Sequence, residues 1–272
     1  MGAKTHAVAP PSREARPVDN TDWLKTGAII LVAVDHIGYF FIDDAEWWSV
    51  FGRLAAPSFF FLMGYAATRT IPFQWIVIGI FLTLLESSNE GWSWVPLNIL
   101  ISFALVRLAR PYVEILLQKY HWITVNLLVF GLIAVLHISG EIVDYGSSGW
   151  LWAFVGLCQR LYTDHKSESA KGGMEQNIGA MRLAACLAAA SVYIWQEQLE
   201  FSFSQIQLAI FILGVCILST IMCRFFRGPS PVQPPGSINA VVRFTGRHTL
   251  EIYAIQLAGS ELIIMLMPEL AA

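Results

Sequence analysis

Charged residues are scarce in this 272-residue sequence. They make up 14% of it, whereas apolar residues make up 56% and the mean hydropathy is +0.56. A soluble domain carries roughly a quarter charged residues, so this composition excludes an ordinary water-soluble protein and indicates a membrane protein. We therefore expect the lipid bilayer as its environment, and no nucleic acid among its partners.

Cysteine is rare as well, with four residues that lie in or at the ends of apolar segments: Cys158, Cys186, Cys216 and Cys223. They form no CxxC pair and no Cys/His spacing typical of zinc sites, so we expect neither disulfides nor a metal. The sequence also lacks a glycine-rich phosphate loop, a GxSxG element and internal repeats. These absences argue against common nucleotide-binding and serine-hydrolase designs.

Long apolar runs, in contrast, are abundant. About nine are long enough to approach the roughly 20 residues that a membrane helix needs, and they are continuous rather than alternating, which favours helices over a β-barrel. The sequence thus predicts an all-α, polytopic integral membrane bundle of about nine transmembrane helices, with an amphipathic lead-in (239–250) before the last. The predicted spans lie near 23–42, 47–68, 71–87, 94–109, 121–139, 149–163, 178–196, 205–225 and 249–267.

The orientation follows from the basic residues. With the N-terminus inside, the inside segments hold sixteen of the seventeen Lys and Arg residues, as the positive-inside rule requires. The opposite side carries the acidic segments "DDAE" (43–46), "NEG" (89–91), "GEIVD" (140–144) and "QEQLE" (196–200). We therefore predict a cytoplasmic N-terminus and an outer C-terminus.

The first twenty residues are polar and proline-rich, without an apolar core. This composition predicts a disordered cytoplasmic tail rather than a cleavable signal peptide. Residues 21–272 are then expected to form a single transmembrane domain.

Three ionisable residues stand inside the first two predicted spans. Asp35 and His36 lie in the first, and Arg53, the one basic residue outside the sidedness pattern, lies in the second. A linker of only four residues makes the two spans antiparallel, so we expect all three at nearly the same depth, in the outer half of the membrane. Since a charged side chain facing lipid costs about 2.5–3.5 kcal/mol on insertion scales, Asp35 and Arg53 are expected to pair inside the bundle.

Helical spacing extends this polar site along the first span. Lys25, His36, Tyr39 and Asp43 fall on one face at 100° per residue. Pro57 cannot donate to the carbonyl four residues before it, so a bend and a lined cavity are expected near the charged level. The alternative is a purely structural Asp–Arg clasp with a histidine nearby.

A second polar region precedes and enters the last span. Arg243, Arg247 and Glu251 are spaced four apart and could stack as ion pairs on one helix face. Arg243 and Arg247 could form an anion pocket for phosphates or an anchor of arginines at the cytoplasmic boundary. A further polar stripe follows, formed by Thr249, Tyr253, Gln256 and Ser260.

Three stretches together resemble the TraX family of membrane acetyltransferases, and more distantly the wider group of transmembrane acyltransferases that use acyl-CoA. They are "DWLKTGAIILVAVDHIGYF", "GRLAAPSFFFLMGY" and "GRHTLEIYAIQL", which cover about a sixth of the chain. Ala56 departs from the family's frequent Phe before the proline. Gln256 stands where related acyltransferases often have a histidine, which puts a second catalytic histidine in doubt.

The resemblance implies transfer of an acetyl group from cytoplasmic acetyl-CoA, without a metal, to an acceptor amine reached from the outer side. For this family the acceptor is the N-terminus of a conjugative pilin subunit in the bacterial inner membrane. Carried onto this sequence, Asp35 and His36 are the catalytic pair and Arg53 their electrostatic partner. Arg53 or Tyr39 could stabilise the oxyanion, and His36 could act as a base or carry the acetyl group itself. The expected acetyl-CoA contacts are Lys25, Arg243, Arg247, Tyr253 and Gln256.

Two other functions fit intramembrane Asp, His and Arg residues. A proton-coupled transporter often has such groups, although transporters frequently carry internal repeats and matched broken helices that this sequence lacks. A non-catalytic membrane assembly factor is the other alternative. Binding of acetyl-CoA distinguishes the enzyme from both.

Overall fold

The computed structural model describes residues 17–43, 45–89, 95–168 and 174–270. Within these ranges the chain is helical and contains no β-strand, as the sequence predicts. A short 3₁₀ helix, Pro268–Leu270, follows the last α-helix. The α-helices are α1 (Asn20–Phe41), α2 (Glu46–Gly52), α3 (Ala55–Tyr65), α4 (Phe73–Asn89), α5 (Ile99–Tyr120), α6 (Trp122–Ala134), α7 (Leu136–Ile142), α8 (Gly146–Glu168), α9 (Met174–Phe201), α10 (Gln205–Arg224), α11 (Gly236–Arg247) and α12 (Thr249–Leu266).

Several of these helices are suited to crossing a membrane. In the described ranges, four are long and apolar enough: α1, the part of α9 from Asn177 to Phe201, α10 and α12. The pair α6 and α7 adds a fifth if its 65° bend lies within one span. Length and composition thus assign four or five crossings, where the sequence predicts about nine. Each predicted apolar segment nevertheless coincides with a helix or a helix pair.

The predicted second span, 47–68, is broken in the structure. Its first part is α2, its second part is α3, and Arg53 and Leu54 form the turn between them. The break lies one helical turn before Pro57, which has no N–H to offer the Arg53 carbonyl. At 1.5 Å per residue, α3 is about 16 Å long, roughly half the thickness of a bilayer core.

The start of α1 is fixed by a capping box. The Asp19 side chain accepts from the Asp22 backbone N–H, and the Asp22 side chain accepts from the Asp19 N–H. Val18 is buried, and its carbonyl accepts from the Ser230 N–H at 3.0 Å. The ordered chain therefore begins before residue 21, which corrects the predicted disordered tail for residues 17–20; residues 1–16 lie outside the described ranges.

The buried centre of the bundle is the contact between α3 and α8. Gly64 lies against the Ala153 carbonyl and Gly156 against the Phe61 carbonyl, closer than any Cβ would permit. Small residues allow this approach of two backbones, which is a common way for membrane helices to associate. Helix α1 packs on one side of this centre and contacts α2, α3, α11 and α12.

Candidate functional site

The broken helix between α2 and α3 places Arg53 at the centre of the candidate site. The carbonyl of Arg53, which Pro57 leaves without its helical donor, accepts a hydrogen bond of 2.6 Å from the Tyr193 hydroxyl of α9. Its own N–H donates to the Ser49 carbonyl at 3.1 Å. Both backbone polar groups of Arg53 therefore have hydrogen-bond partners at the break. The break directs the Arg53 side chain into the bundle.

The guanidinium of Arg53 contacts three carboxylates. The shortest nitrogen–oxygen distances are 3.6 Å to Asp35, 3.8 Å to Glu197 and 3.7 Å to Glu200. Arg53 also donates to the Tyr145 hydroxyl at 3.1 Å. These residues, Asp35, Arg53, Tyr145, Glu197 and Glu200, are called the Arg53 cluster below. The predicted Asp35–Arg53 contact is present, and the cluster has an excess of carboxylates over the single cation.

The two glutamates were missed by the sequence analysis. The acidic segment 196–200 was predicted as an outer loop, but α9 continues through it to Phe201. Tyr193, Glu197 and Glu200 recur at the spacing of one helix face, so all three are directed at Arg53. That periodicity was the available signal. Glu197 is 1% exposed, whereas the Glu200 side chain is 51% exposed on the surface of the bundle.

His36 lies on a different side of α1 from its neighbour Asp35. No hydrogen bond joins the two side chains, because successive helical residues diverge by about 100°. Instead, the imidazole lies against two rings, with centroid distances of 5.9 Å to Tyr253 and 6.1 Å to Phe40. Its Nδ1 atom is buried without a hydrogen-bond partner. Asp35 and His36, which the resemblance implies as a catalytic pair, are therefore not hydrogen-bonded to each other, because Asp35 faces Arg53.

The N-terminus of α5 supports the opposite wall of the site. The Asn98 side chain caps the helix by accepting from the Leu100 N–H at 3.1 Å, and its amide donates to the Tyr253 hydroxyl at 3.0 Å. Asp144 accepts from the Ile99 N–H at 3.0 Å. Asn98 is fully buried and thereby fixes the ring that packs on His36. Sequence patterning gave no reason to connect these residues.

These elements enclose one cavity of about 510 Å³, called the central cavity. Seven of the nine predicted site residues line it, while Arg243 and Gln256 do not. The seven are Lys25, Asp35, His36, Tyr39, Arg53, Arg247 and Tyr253. Its wall also includes carboxylates that the sequence analysis did not assign to the site: Glu86, Asp144 and Glu200.

The far end of the central cavity is basic. Lys25 donates to the Gly246 carbonyl at 3.3 Å, and Arg247, at the end of α11, is exposed. Lys25 is eleven residues from His36, which corresponds to about 16 Å along α1. Because α11 ends at Arg247 and α12 begins at Thr249, the predicted continuous ion-pair stack is interrupted there; Glu251 lies 3.8 Å from His248.

The arrangement offers a polar passage with different chemistry at its two ends. At one end, the wall carries two cations, Lys25 and Arg247. At the other end lies the Arg53 cluster, with the imidazole of His36 beside it. Across the described ranges, no three His, Cys, Asp or Glu residues gather as metal ligands. The side chains present can accept a proton, bind an anion or stabilise a developing negative charge.

The apolar helices and the charged cavity between them define a helical membrane protein with an internal polar site. The chain belongs to the TraX family, because the family model described as "TraX protein" matches residues 20–171, more than half of the chain. The match extends from α1 to the end of α8. It therefore includes Asp35, His36 and Arg53 but not the residues of α11 and α12 that complete the cavity.

One curated relative is the uncharacterized protein RP591 of Rickettsia prowazekii (strain Madrid E). It is 29% identical over 131 residues, which correspond to 46% of this chain and 50% of the relative. The matched region thus spans half the length of that relative. No solved structure gives a significant match.

Proposed function

We propose that this protein is a membrane-embedded acetyltransferase. It transfers an acetyl group from acetyl-CoA on the cytoplasmic side to an amine presented at the outer side of the bacterial inner membrane. The observation that carries the proposal is the central cavity, in which a histidine and an arginine lie at one end and two cations at the other. Membership of the TraX family supports it.

The basic end suits the phosphates of the donor. Lys25 and Arg247 present ammonium and guanidinium groups, and charge-assisted hydrogen bonds to phosphate are about twice as strong as neutral ones. The donor's extended arm then follows the polar face of α1 towards His36. This orientation requires the cytoplasm at the Lys25 end, in agreement with the predicted cytoplasmic N-terminus.

The chemistry at the other end is direct acyl transfer. The acceptor nitrogen attacks the acetyl carbonyl carbon, a C–N bond forms, the C–S bond breaks, and the CoA thiolate leaves. His36 accepts the proton that the amine loses and returns it to the leaving sulfur. Arg53 and Tyr39 are the candidates for stabilising the negative charge on the carbonyl oxygen.

The environment of His36 supports a role for this residue beyond packing. Its Nδ1 atom is buried and lacks a protein partner, which is uncommon for a buried polar atom and therefore needs an explanation. Tyr253, held by Asn98, fixes the plane against which the imidazole packs. The substrate, rather than Asp35, therefore determines which ring nitrogen of His36 carries the proton.

The acceptor is proposed from family membership as the N-terminal amine of a pilin subunit embedded in the same membrane. Glu200 and Tyr39 line the central cavity and are exposed on the bundle surface. An acceptor could therefore approach from this end without passing the basic end. About nine membrane crossings remain part of this proposal.

A binding measurement separates this enzyme from a transporter or an assembly factor. We expect the purified protein in lipid nanodiscs to bind acetyl-CoA. Lys25→Gln and Arg247→Gln should each weaken binding by about tenfold or more, since a hydrogen bond to a charged group contributes about 1.5–3 kcal/mol. Arg69→Gln removes an exposed arginine outside the cavity and is the matched control. Absence of binding to the wild-type protein would favour the other two functions.

A further inference from the structure

A second cavity lies away from the central cavity, between α8, α9 and the end of α10. Its volume is about 580 Å³, and it is called the α8–α10 pocket. Two arginines line it, Arg182 from α9 and Arg224 from α10, together with aromatic side chains that include Tyr162 and Phe226. Neither arginine belongs to the site described above.

Arg182 is held in place by polar contacts rather than by a carboxylate. Its Nη1 atom donates to the Gln159 side-chain oxygen at 2.9 Å and to the Cys223 carbonyl at 3.0 Å. Gln159 is itself 2% exposed and donates to the Phe225 carbonyl at 2.6 Å. The guanidinium lies 4.1 Å from the Tyr162 ring centroid. The side chain is therefore positioned before any ligand binds.

This arrangement leaves one edge of the guanidinium without an acceptor. The Nε atom of Arg182 is buried and has no hydrogen-bond partner, and the two hydrogen bonds of the side chain both come from Nη1. Nε and Nη2 together form the edge with which arginine makes two parallel hydrogen bonds to a carboxylate or phosphate. A buried donor of this kind is unfavourable unless an acceptor is supplied.

The charge around the pocket specifies the kind of acceptor. No carboxylate pairs with Arg182 or Arg224 in the parts of the chain that the structure describes, and none lines the pocket. Among the described residues, no carboxylate therefore offsets the two cations that line this space. A dianionic group matches them better than a single carboxylate does, because it can accept from both.

The depth of the pocket indicates where such a group would come from. Arg182 is near the beginning of the apolar segment Asn177–Phe201, and Arg224 is the last residue of α10. Both arginines thus lie near the ends of candidate membrane spans, where we expect lipid headgroups. The charge pattern predicts that both arginines lie on the cytoplasmic side. Basic pockets between membrane helices on that side of a bilayer are suited to phosphorylated headgroups.

We propose that the α8–α10 pocket binds a phosphate group, carried by a phospholipid headgroup or by a soluble phosphate ester. Arg182 donates two hydrogen bonds from its Nε–Nη2 edge to two phosphate oxygens. Arg224 neutralises the remaining charge, and the aromatic side chains cover the group that carries the phosphate. The site is independent of acetyl transfer in the central cavity.

The test uses the full-length protein and two probes. Native mass spectrometry measures retention of phosphatidic acid from nanodiscs that otherwise contain phosphatidylcholine, and a thermal-shift titration measures binding of inorganic pyrophosphate. Arg182→Gln and Arg224→Gln should reduce binding by about tenfold or more, whereas Arg227→Gln, which removes an exposed arginine outside the pocket, should not. Arg182→Lys retains the charge but loses the paired hydrogen bonds, so it should also bind less tightly.

Each result has a defined meaning. Retention of lipid alone identifies a headgroup site, a response to pyrophosphate alone identifies a soluble ligand, and a response to both shows that the phosphate itself is recognised. If Arg182→Gln does not fold, the exposed Arg224 variant still tests the pocket. The proposal is overturned if the wild-type protein binds neither probe, or if Arg227→Gln loses as much binding as Arg224→Gln.

Discussion

Gly52 lies directly against the backbone of Asp35, where α2 passes α1. A Cβ atom at position 52 would be 2.6 Å from the Asp35 Cα atom and 2.6 Å from its Oδ1 atom. The absence of a side chain therefore lets the two helices approach until Arg53, the next residue, reaches the Asp35 carboxylate. This glycine determines the geometry of the Arg53 cluster without belonging to it.

Gly52→Ala should destabilise the protein and impair acetyl transfer together. The added methyl group forces α1 and α2 apart, and overpacking of this kind typically costs about 1–3 kcal/mol. The measurement is the thermal unfolding midpoint in detergent beside the transfer rate. Gly27→Ala is the control, because nothing lies within 4 Å of a Cβ there and alanine is the better helix former. An unchanged midpoint for Gly52→Ala would show that the close contact does not exist.

Arg53→Met should reduce the yield of folded protein. Removing the cation leaves the buried Glu197 and the half-buried Asp35 without their partner, and breaking a buried ion pair costs about 3–5 kcal/mol. Size-exclusion chromatography of the solubilised protein measures the folded fraction.

A compensating variant separates the structural role of Arg53 from its chemical role. Adding Asp35→Asn and Glu197→Gln to Arg53→Met removes the unpaired charges and should restore folded protein without restoring acetyl transfer. If the single Arg53→Met variant folds as well as the wild type, the three-carboxylate arrangement is incorrect.

Tyr193→Phe tests the hydrogen bond that completes the broken helix. The variant removes the hydroxyl that donates to the Arg53 carbonyl at 2.6 Å, which leaves a buried acceptor without a partner. The expected loss is about 1–3 kcal/mol in the free energy of unfolding, measured by thermal or denaturant unfolding. Tyr112→Phe, at an exposed position, should have no effect. Equal stabilities for the two variants would exclude this role for Tyr193.

The helical architecture and one ion pair could be predicted because they follow from strong physical constraints. Continuous apolar runs predict helices, and an aspartate and an arginine at the same depth in adjacent spans have few alternatives to pairing. The proline at position 57 also indicated a break, since a missing N–H has a fixed consequence four residues earlier. The observed break at Arg53–Leu54 lies at that position.

The remaining members of the site could not be predicted by the same reasoning. Hydropathy and charge bias assign acidic segments to outer loops, so Glu197 and Glu200 were separated from Arg53 although α9 includes both. The contact between Asn98 and Tyr253 joins residues 155 positions apart and depends on tertiary packing alone. Adjacent residues in a helix also diverge, which is why Asp35 and His36 do not act as a hydrogen-bonded pair.

The most direct test of the proposed function is acetyl transfer by the purified protein in proteoliposomes, with radiolabelled acetyl-CoA and a synthetic peptide that carries the N-terminus of a candidate pilin. The wild-type protein should label the terminal amine. His36→Ala should fold and bind acetyl-CoA, but its transfer rate should fall by about a hundredfold or more, the usual contribution of general acid–base catalysis. Transfer by His36→Ala at the wild-type rate would contradict a catalytic role for this histidine.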